Sequence, residues 1–305
     1  MNYLTKSFKL SLYGLAFFWI FDGLCQFQSR LLTKQFIEAV VQPNFSAYPG
    51  FLTNLTDQLS RIFLLNPLLF GSMIGLTQIL IGGLIIFRST RIIGLYMSLL
   101  WGIFVWIFGE NMANIFSGNF NVFSGFPGNA LIYVILSVIL IICLKKSMDQ
   151  TNYFGFYLKL IWFLFWIFSA VGLMLPSFGG YQGLKNVYLM NQFKLPLWLS
   201  NVDHLFHHLI VYLGPSSLFE LVFLDIIIAM IVFVNNRVIF NIGFVVSLAL
   251  LSLIWLIGQM AGMYFSGLMT DPNTAPTMIL ILGAIYYSPV EKIHTYYSRL
   301  EKLLT

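Results

Sequence analysis

WIFGENMANIFSG, Trp106 to Gly118, closes a long apolar run with one glutamate and two asparagines. The phrase returns as WLIGQMAGMYFSG, Trp255 to Gly267, with Gln259 at the place of Glu110. A chain that writes one helix end twice reads as a duplication, and the pairs around this phrase keep its spacing. FWIFD (Phe18 to Asp22) recurs as FWIFS (Phe165 to Ser169), so Ser169 stands where Asp22 would. Asn66-Pro67 is matched by Gly214-Pro215, and FPGNA (Phe126 to Ala130) by DPNTA (Asp271 to Ala275). Offsets of 145 to 149 residues are as near to constant as a tandem copy requires. The division this predicts is a first four-span unit over 1–150 and a second over 151–305.

The apolar runs say what kind of unit is repeated. With 59% hydrophobic and 9% charged residues and a mean hydropathy of +0.85, the chain has too little polar surface to coat a soluble globule. Apolar runs near the length a helix needs to cross the hydrocarbon layer fall at 8–27, 67–87, 92–112, 129–144, 158–176, 218–235, 239–262 and 276–290. The expected fold is therefore an all-α integral membrane protein with eight transmembrane helices in two tandem four-helix repeats. Each repeat has an even number of spans, so both copies point the same way through the bilayer. Lys6 and Lys9 before an apolar stretch resemble a signal peptide, but no small-residue cleavage site follows, and the stretch reads as a retained first span.

Charge sets the orientation. Eleven basic residues, among them Lys6, Lys9, Arg88, Arg91, Lys145 and Arg237, fall on one side of these spans, against Arg30, Lys34, Arg61, Lys185 and Lys194 on the other. The positive-inside rule then predicts a multi-pass protein of the cell membrane with N- and C-termini cytoplasmic. Basic residues scattered between apolar runs, without a soluble basic face, exclude nucleic acid as an expected partner. Cys25 and Cys143 fall on opposite sides of the bilayer in this topology, so they cannot pair.

The outer side carries the structured loops and the polar chemistry. Residues 51–65 place Leu52, Leu55, Leu59 and Ile62 on one helical face and Asn54, Asp57, Gln58 and Arg61 away from it, the pattern of an interfacial amphipathic helix. Arg30 to Val41 repeats it in short form, with Leu32, Phe36 and Val40 on one side and a Lys34–Glu38 pair at i,i+4. Asn44 and Asn54 begin glycosylation triplets on this side.

Asp22, Glu110, Glu220 and Asp225 sit in or near the outer ends of spans, with Gln259 in the place of a second glutamate. Ionised carboxylates are costly in hydrocarbon, so the pattern predicts an outer-side polar pocket for a quinol or an ion, against the plainer alternative of solvated helix ends. Asp225 has apolar neighbours on both sides in VFLDIIIAM and needs a partner. In DHLFHHLIVYL, helical spacing puts His204, His207 and His208 in one arc with Phe206, Leu209, Ile210 and Leu213 opposite. With Asp203 this is a possible metal site of the zinc or copper type, weighed against an interfacial polar face. No expected span contains a histidine, so no b-type haem is predicted; no phosphate loop, paired cysteine or nucleophile motif is present either. His294 reads as a solvated residue of the C-terminal segment.

A four-span unit with a short first helix ending in a polar residue, a long outer segment and a glycine-containing third span resembles the DoxX-like superfamily, which includes the DoxD subunit of archaeal thiosulfate:quinone oxidoreductase. Gly23, Gly82, Gly83 and Gly109 are the features that carry the resemblance. It implies a prokaryotic membrane protein associated with electron-transfer or oxidative-stress assemblies, often as a non-catalytic partner; the residues leave the cofactor open between quinone and a metal ion. The residues by themselves leave three function classes: a non-haem subunit of a redox or respiratory complex, a small-solute or ion transporter using the repeat interface, and an outer-side metal-binding protein.

Overall fold

A computed structural model describes residues 6–42, 48–116, 122–145, 152–174, 180–182 and 196–288. Asn44, His294, Lys185 and Lys194 lie outside the described residues, as do Asp149 and all residues after 288. Among the described residues there is no strand. The main helices are α1 (Lys6–Cys25), α2 (Gly50–Leu65), α3 (Pro67–Ile86), α4 (Arg91–Phe108), α5 (Asn129–Lys145), α6 (Asn152–Met174), α7 (Leu197–Leu213), α8 (Ser216–Ile231), α9 (Arg237–Leu253) and α10 (Thr274–Tyr286).

Local chemistry starts several of them. Asn66 caps α3 by accepting from Leu69 N at 3.1 Å, with Pro67 in the first turn where no N–H is needed. Asn236 does the same for α9, accepting from Val238 N and Ile239 N. α7 and α8 meet at a bend of 109°, made by Gly214 at φ +62 followed by Pro215. Five helices, α1, α3, α4, α6 and α9 with its continuation to Gly258, are long and apolar enough to cross a membrane. The architecture fits a multi-pass membrane protein whose exposed apolar residues suit contact with lipid. α10 is the shortest apolar helix at 13 residues, about 20 Å at 1.5 Å per residue.

The interior is packed by aromatic and small residues together. Trp19, Trp162, Trp166 and Tyr133 are fully buried, and Phe8 of α1 meets Phe154 of α6 at 5.1 Å between ring centroids. α1 lies close against α3 because glycines leave room: a Cβ on Gly23 would come within 2.6 Å of Gly75 O, and one on Gly82 within 2.6 Å of Ala16 O. A buried polar chain ties this pair to α4 and α5, with Trp19 Nε1 donating to Ser98 Oγ at 2.7 Å and Ser98 bonded to Ser137 at 2.7 Å.

The two phrases that opened the sequence fold in the same way. After Phe108 and after Gly258 the right-handed helix stops, which shortens the runs expected to 112 and 262. Glu110 N bonds Val105 O at 2.9 Å and Gln259 N bonds Ile254 O at 2.9 Å, each reaching five residues back. Asn111, Met112 and Ala113 then take φ near +50, as do Met260, Ala261, Gly262 and Met263 with φ between +47 and +64. Left-handed runs of non-glycine residues are disfavoured by about 1–2 kcal/mol per residue, so surrounding contacts must hold them. Two of those contacts match: Trp106 Nε1 donates to Pro127 O at 2.9 Å, and Trp255 Nε1 to Pro272 O at 2.8 Å.

The outer segments are helical where amphipathic helices are expected, but α2 turns its faces differently. Leu52, Thr56, Ser60 and Phe63 are buried, while Leu55 and Ile62 are exposed. Thr56 and Ser60 bond the carbonyls four residues back, so their hydroxyls are satisfied within the helix and a slim face can pack inward. Lys34 and Glu38 form the expected pair at 3.3 Å, leading into a π-helical turn at Ile37–Val41.

Candidate functional site

Between the segment that joins α1 to α3 and the first helices lies a cavity of about 410 Å³. Its walls are apolar: Phe36 and Val40 from the segment before α2, Phe63 from α2, Phe70 and Ile74 from α3, Phe104 and Phe108 from α4. Its inner end is polar. α1 brings Asp22 and, just beyond its end, Gln26; α3 brings Gln78; α5 brings Asn129 and Tyr133; the break after α4 brings Glu110. Thr270 and Asp271 reach in from the turn before α10, so the second half of the chain completes the polar end.

Hydrogen bonds order this end without satisfying it. Asn129 Nδ2 donates to Tyr133 Oη at 2.8 Å and to Asp271 Oδ1 at 3.2 Å, and Tyr133 is bonded in turn to the Asp22 carboxyl. Asp271 is held further by Thr270 Oγ1 at 2.8 Å and by Asn273 N at 2.7 Å. Burial pushes the Asp271 carboxyl above the usual carboxylate range, despite the donors around it. Glu110 Oε1 accepts from Ala130 N at 2.9 Å, at the first turn of α5. Gly128, at φ +97, lies against Glu110 Oε2, and a Cβ there would strike that oxygen.

Four buried polar atoms of the lining have no hydrogen-bond partner within the protein: Asp22 Oδ1, Gln78 Oε1, Glu110 Oε2 and Trp101 Nε1. Buried polar groups in proteins are almost always paired, and leaving one unpaired costs about 1–3 kcal/mol. These three acceptors and one donor belong to residues lining a largely apolar cavity that, among the described residues, has no Lys, Arg or His in its lining, a composition suited to an uncharged hydrogen-bonding molecule. The volume is in the range of small-molecule sites.

Of the outer-side residues singled out in the sequence, the cavity brings together Asp22 and Glu110. Asp225 is elsewhere, buried in α8, where Ser169 Oγ donates to its Oδ2 at 2.7 Å; that serine is the counterpart of Asp22. Gln259 is buried and engaged on both sides, accepting from Ala275 N at 3.1 Å and donating to Val122 O at 3.1 Å. Glu220 is exposed on α8. On α7, His204 and His208 are exposed with ring centroids 6.5 Å apart, and His207 lies 6.2 Å from His208. Asp203 is buried, on a different side of the helix from the two exposed histidines. Among the described residues no group of three or more His, Cys, Asp or Glu is placed to hold a metal ion, which leaves the metal reading without a ligand set.

The members that residue-by-residue reading missed are Asp271, Gln26, Gln78, Asn129 and Tyr133. DPNTA reads as a solvated helix start, and only its match to FPGNA signals that Asp271 enters a repeated element. The fold and cavity define the class of protein: an all-helical chain that fits a multi-pass membrane protein, with a carboxyl-lined internal cavity in its first half. No family model, curated protein or solved structure matches the chain.

Proposed function

We propose that the protein is a polytopic, non-haem subunit of a larger redox or respiratory membrane complex, and that its cavity binds a quinol or a molecule of similar chemistry on the outer side. One observation carries the binding site: Asp22 Oδ1, Glu110 Oε2 and Gln78 Oε1 are buried acceptors left unpaired at the polar end of an apolar chamber. A quinol head offers hydroxyl donors to such acceptors and a carbonyl or hydroxyl oxygen to Trp101 Nε1, while its ring and tail suit the Phe36, Phe70 and Phe104 walls. The chain's part is to bind, orient and exclude water; bound quinone would supply the redox chemistry.

The wider reading is eight spans in two tandem repeats, with both termini cytoplasmic in a prokaryotic cell membrane, as the DoxX-like resemblance implies. Supporting the repeat are the paired breaks at Glu110 and Gln259, the paired Trp106 and Trp255 bonds, and reciprocal contacts between the halves. Thr274 Oγ1 donates to Gly125 O, while Asn129, which corresponds to Thr274, donates to Asp271, next to the counterpart of Gly125. Supporting the orientation is the excess of basic residues on one side.

The test is equilibrium binding of a decyl-tailed benzoquinol to the purified protein in lipid nanodiscs. The double variant Asp22→Asn, Glu110→Gln is expected to bind at least about tenfold more weakly, about 1.4 kcal/mol, with its melting temperature retained. Equal binding by variant and parent would remove the site. A complex is tested separately by copurification, and a preparation that is monomeric and active alone would count against it.

A second reading is favoured by Asp271, which crosses from the second half into the cavity: a small-solute or ion transporter working at the junction of the repeats. Uptake into proteoliposomes that is lost in Asp271→Asn would support this reading.

A further inference from the structure

The way α3 and α4 straddle the cavity carries one step more, and it rests on the cavity being a binding pocket. At one end the two helices are tied together: Gly94 is so near the preceding helix that a Cβ would meet Ile85 N at 2.7 Å, and the Arg91 guanidinium bonds Ile85 O and Ile86 O at 3.2 Å each. Toward the other end, Phe70, Met73 and Thr77 of α3 and Trp101, Phe104 and Phe108 of α4 line the cavity.

α2 bridges that end. Before its first turn, Tyr48 Oη donates to Ile107 O at 2.8 Å, at the end of α4; after its last turn, Asn66 caps α3. Beneath the bridge the rim includes Ile62, Met73 and Phe104, which are 48%, 53% and 38% exposed, and the half-buried Thr77, whose hydroxyl is bonded to Met73 O at 2.8 Å. Among the described residues, the charged ones in the cavity lining are Asp22, Glu110 and Asp271, and their carboxyls belong to the polar inner end. The ion pair of α2, Arg61 with Asp57 at 2.9 Å, is not part of the lining. Thr56 and Ser60, which do face inward, have their hydroxyls bonded to their own helix. The exposed lining residues Ile62, Met73 and Phe104 are apolar and continue the apolar outer surfaces of α3 and α4.

We propose that the pocket is loaded sideways from the hydrocarbon layer, between the cavity-lining ends of α3 and α4 beside α2, by a lipid-dissolved molecule with an apolar body and a hydrogen-bond-donating head. The head passes the rim first and reaches the unpaired acceptors at the inner end, and the body remains between Phe70 and Phe104.

The test uses the full chain in proteoliposomes and follows quenching of tryptophan fluorescence, since Trp19 and Trp101 line the cavity. The probes are a decyl-tailed benzoquinol delivered in the lipid and the tailless benzoquinol added in water. The onset rate is expected to rise with the mole fraction of tailed quinol in the bilayer. The Met73→Phe, Thr77→Phe variant, which crowds the rim, is expected to slow onset by at least about tenfold while changing equilibrium quenching by less than about threefold. Ile62→Phe, on the α2 side of the rim, repeats the test should that pair destabilise the chain. Unchanged onset in both variants, or onset that follows the aqueous tailless quinol regardless of lipid, would overturn the lateral route and leave the pocket standing. Absence of quenching by either probe in the parent chain would defeat the pocket itself and the route with it.

Discussion

The helix breaks at Glu110 and Gln259 share a backbone and differ by one atom's chemistry. Both side chains use an oxygen to accept the N–H of a following helix start, Ala130 N in one case and Ala275 N in the other. The remaining atom decides what the region does. The Gln259 amide nitrogen donates to Val122 O across the molecule, closing that side as structure. The corresponding Glu110 oxygen cannot donate when ionised, and it is left buried without a hydrogen bond of its own on a residue that lines the cavity. One break is a joint with Val122 and Ala275, and the other is the edge of a chamber. Similarly, Asp22 opens into the cavity, whereas its counterpart Ser169 is occupied by Asp225.

The largest effect in breaking this comparison is expected from Gln259→Ala, which strands two buried backbone groups, Val122 O and Ala275 N. A loss of about 2–4 kcal/mol is expected, seen as a lower melting temperature in detergent. Gln259→Glu keeps the bond to Ala275 N but sets an oxygen against Val122 O, and about 1–3 kcal/mol of destabilisation should follow. Trp106→Phe and Trp255→Phe each remove one bond to a proline carbonyl, and their equal cost, about 1 kcal/mol apiece, would confirm that the two breaks are held alike. Glu110→Gln should change stability by less than about 1 kcal/mol, because the Ala130 bond survives, while weakening quinol binding. The smallest effect is a pH slope. Asp271 has its carboxyl raised above the unfolded value by burial, so its contribution to stability is present at acid pH and is lost as pH rises through the folded value. Asp271→Asn should therefore flatten the fall in melting temperature on going from acid to neutral pH.

What could be read in the sequence follows from where the signal lies. Apolar runs and the Asn-Pro and Gly-Pro starts are local, and helices formed at them, as the cap at Asn66 shows; the repeated phrase marked where two of those helices end. The orientation of α2 was not legible, since an amphipathic pattern predicts leucines inward as it would in water. Where the outside is apolar, bulky residues such as Leu55 and Ile62 can face outward, and slim Thr56 and Ser60 allow close packing. Local context favoured Asp225, with apolar neighbours on both sides, over Asp22 and Glu110, which also read as solvated helix ends; the packing supplies Asp225 with Ser169 and leaves the cavity to Asp22 and Glu110.

The sequence by itself determined an all-helical, lipid-suited chain with duplicated helix ends, because periodicity, composition and turn chemistry act over a few residues. Only the tertiary structure decided that Asp22, Glu110 and Asp271, separated by up to 249 positions, share one cavity while Asp225 and Gln259 do not. Whether a buried polar atom has a partner depends on which helices pack beside it, and that is settled by glycine contacts and left-handed breaks far apart in the chain.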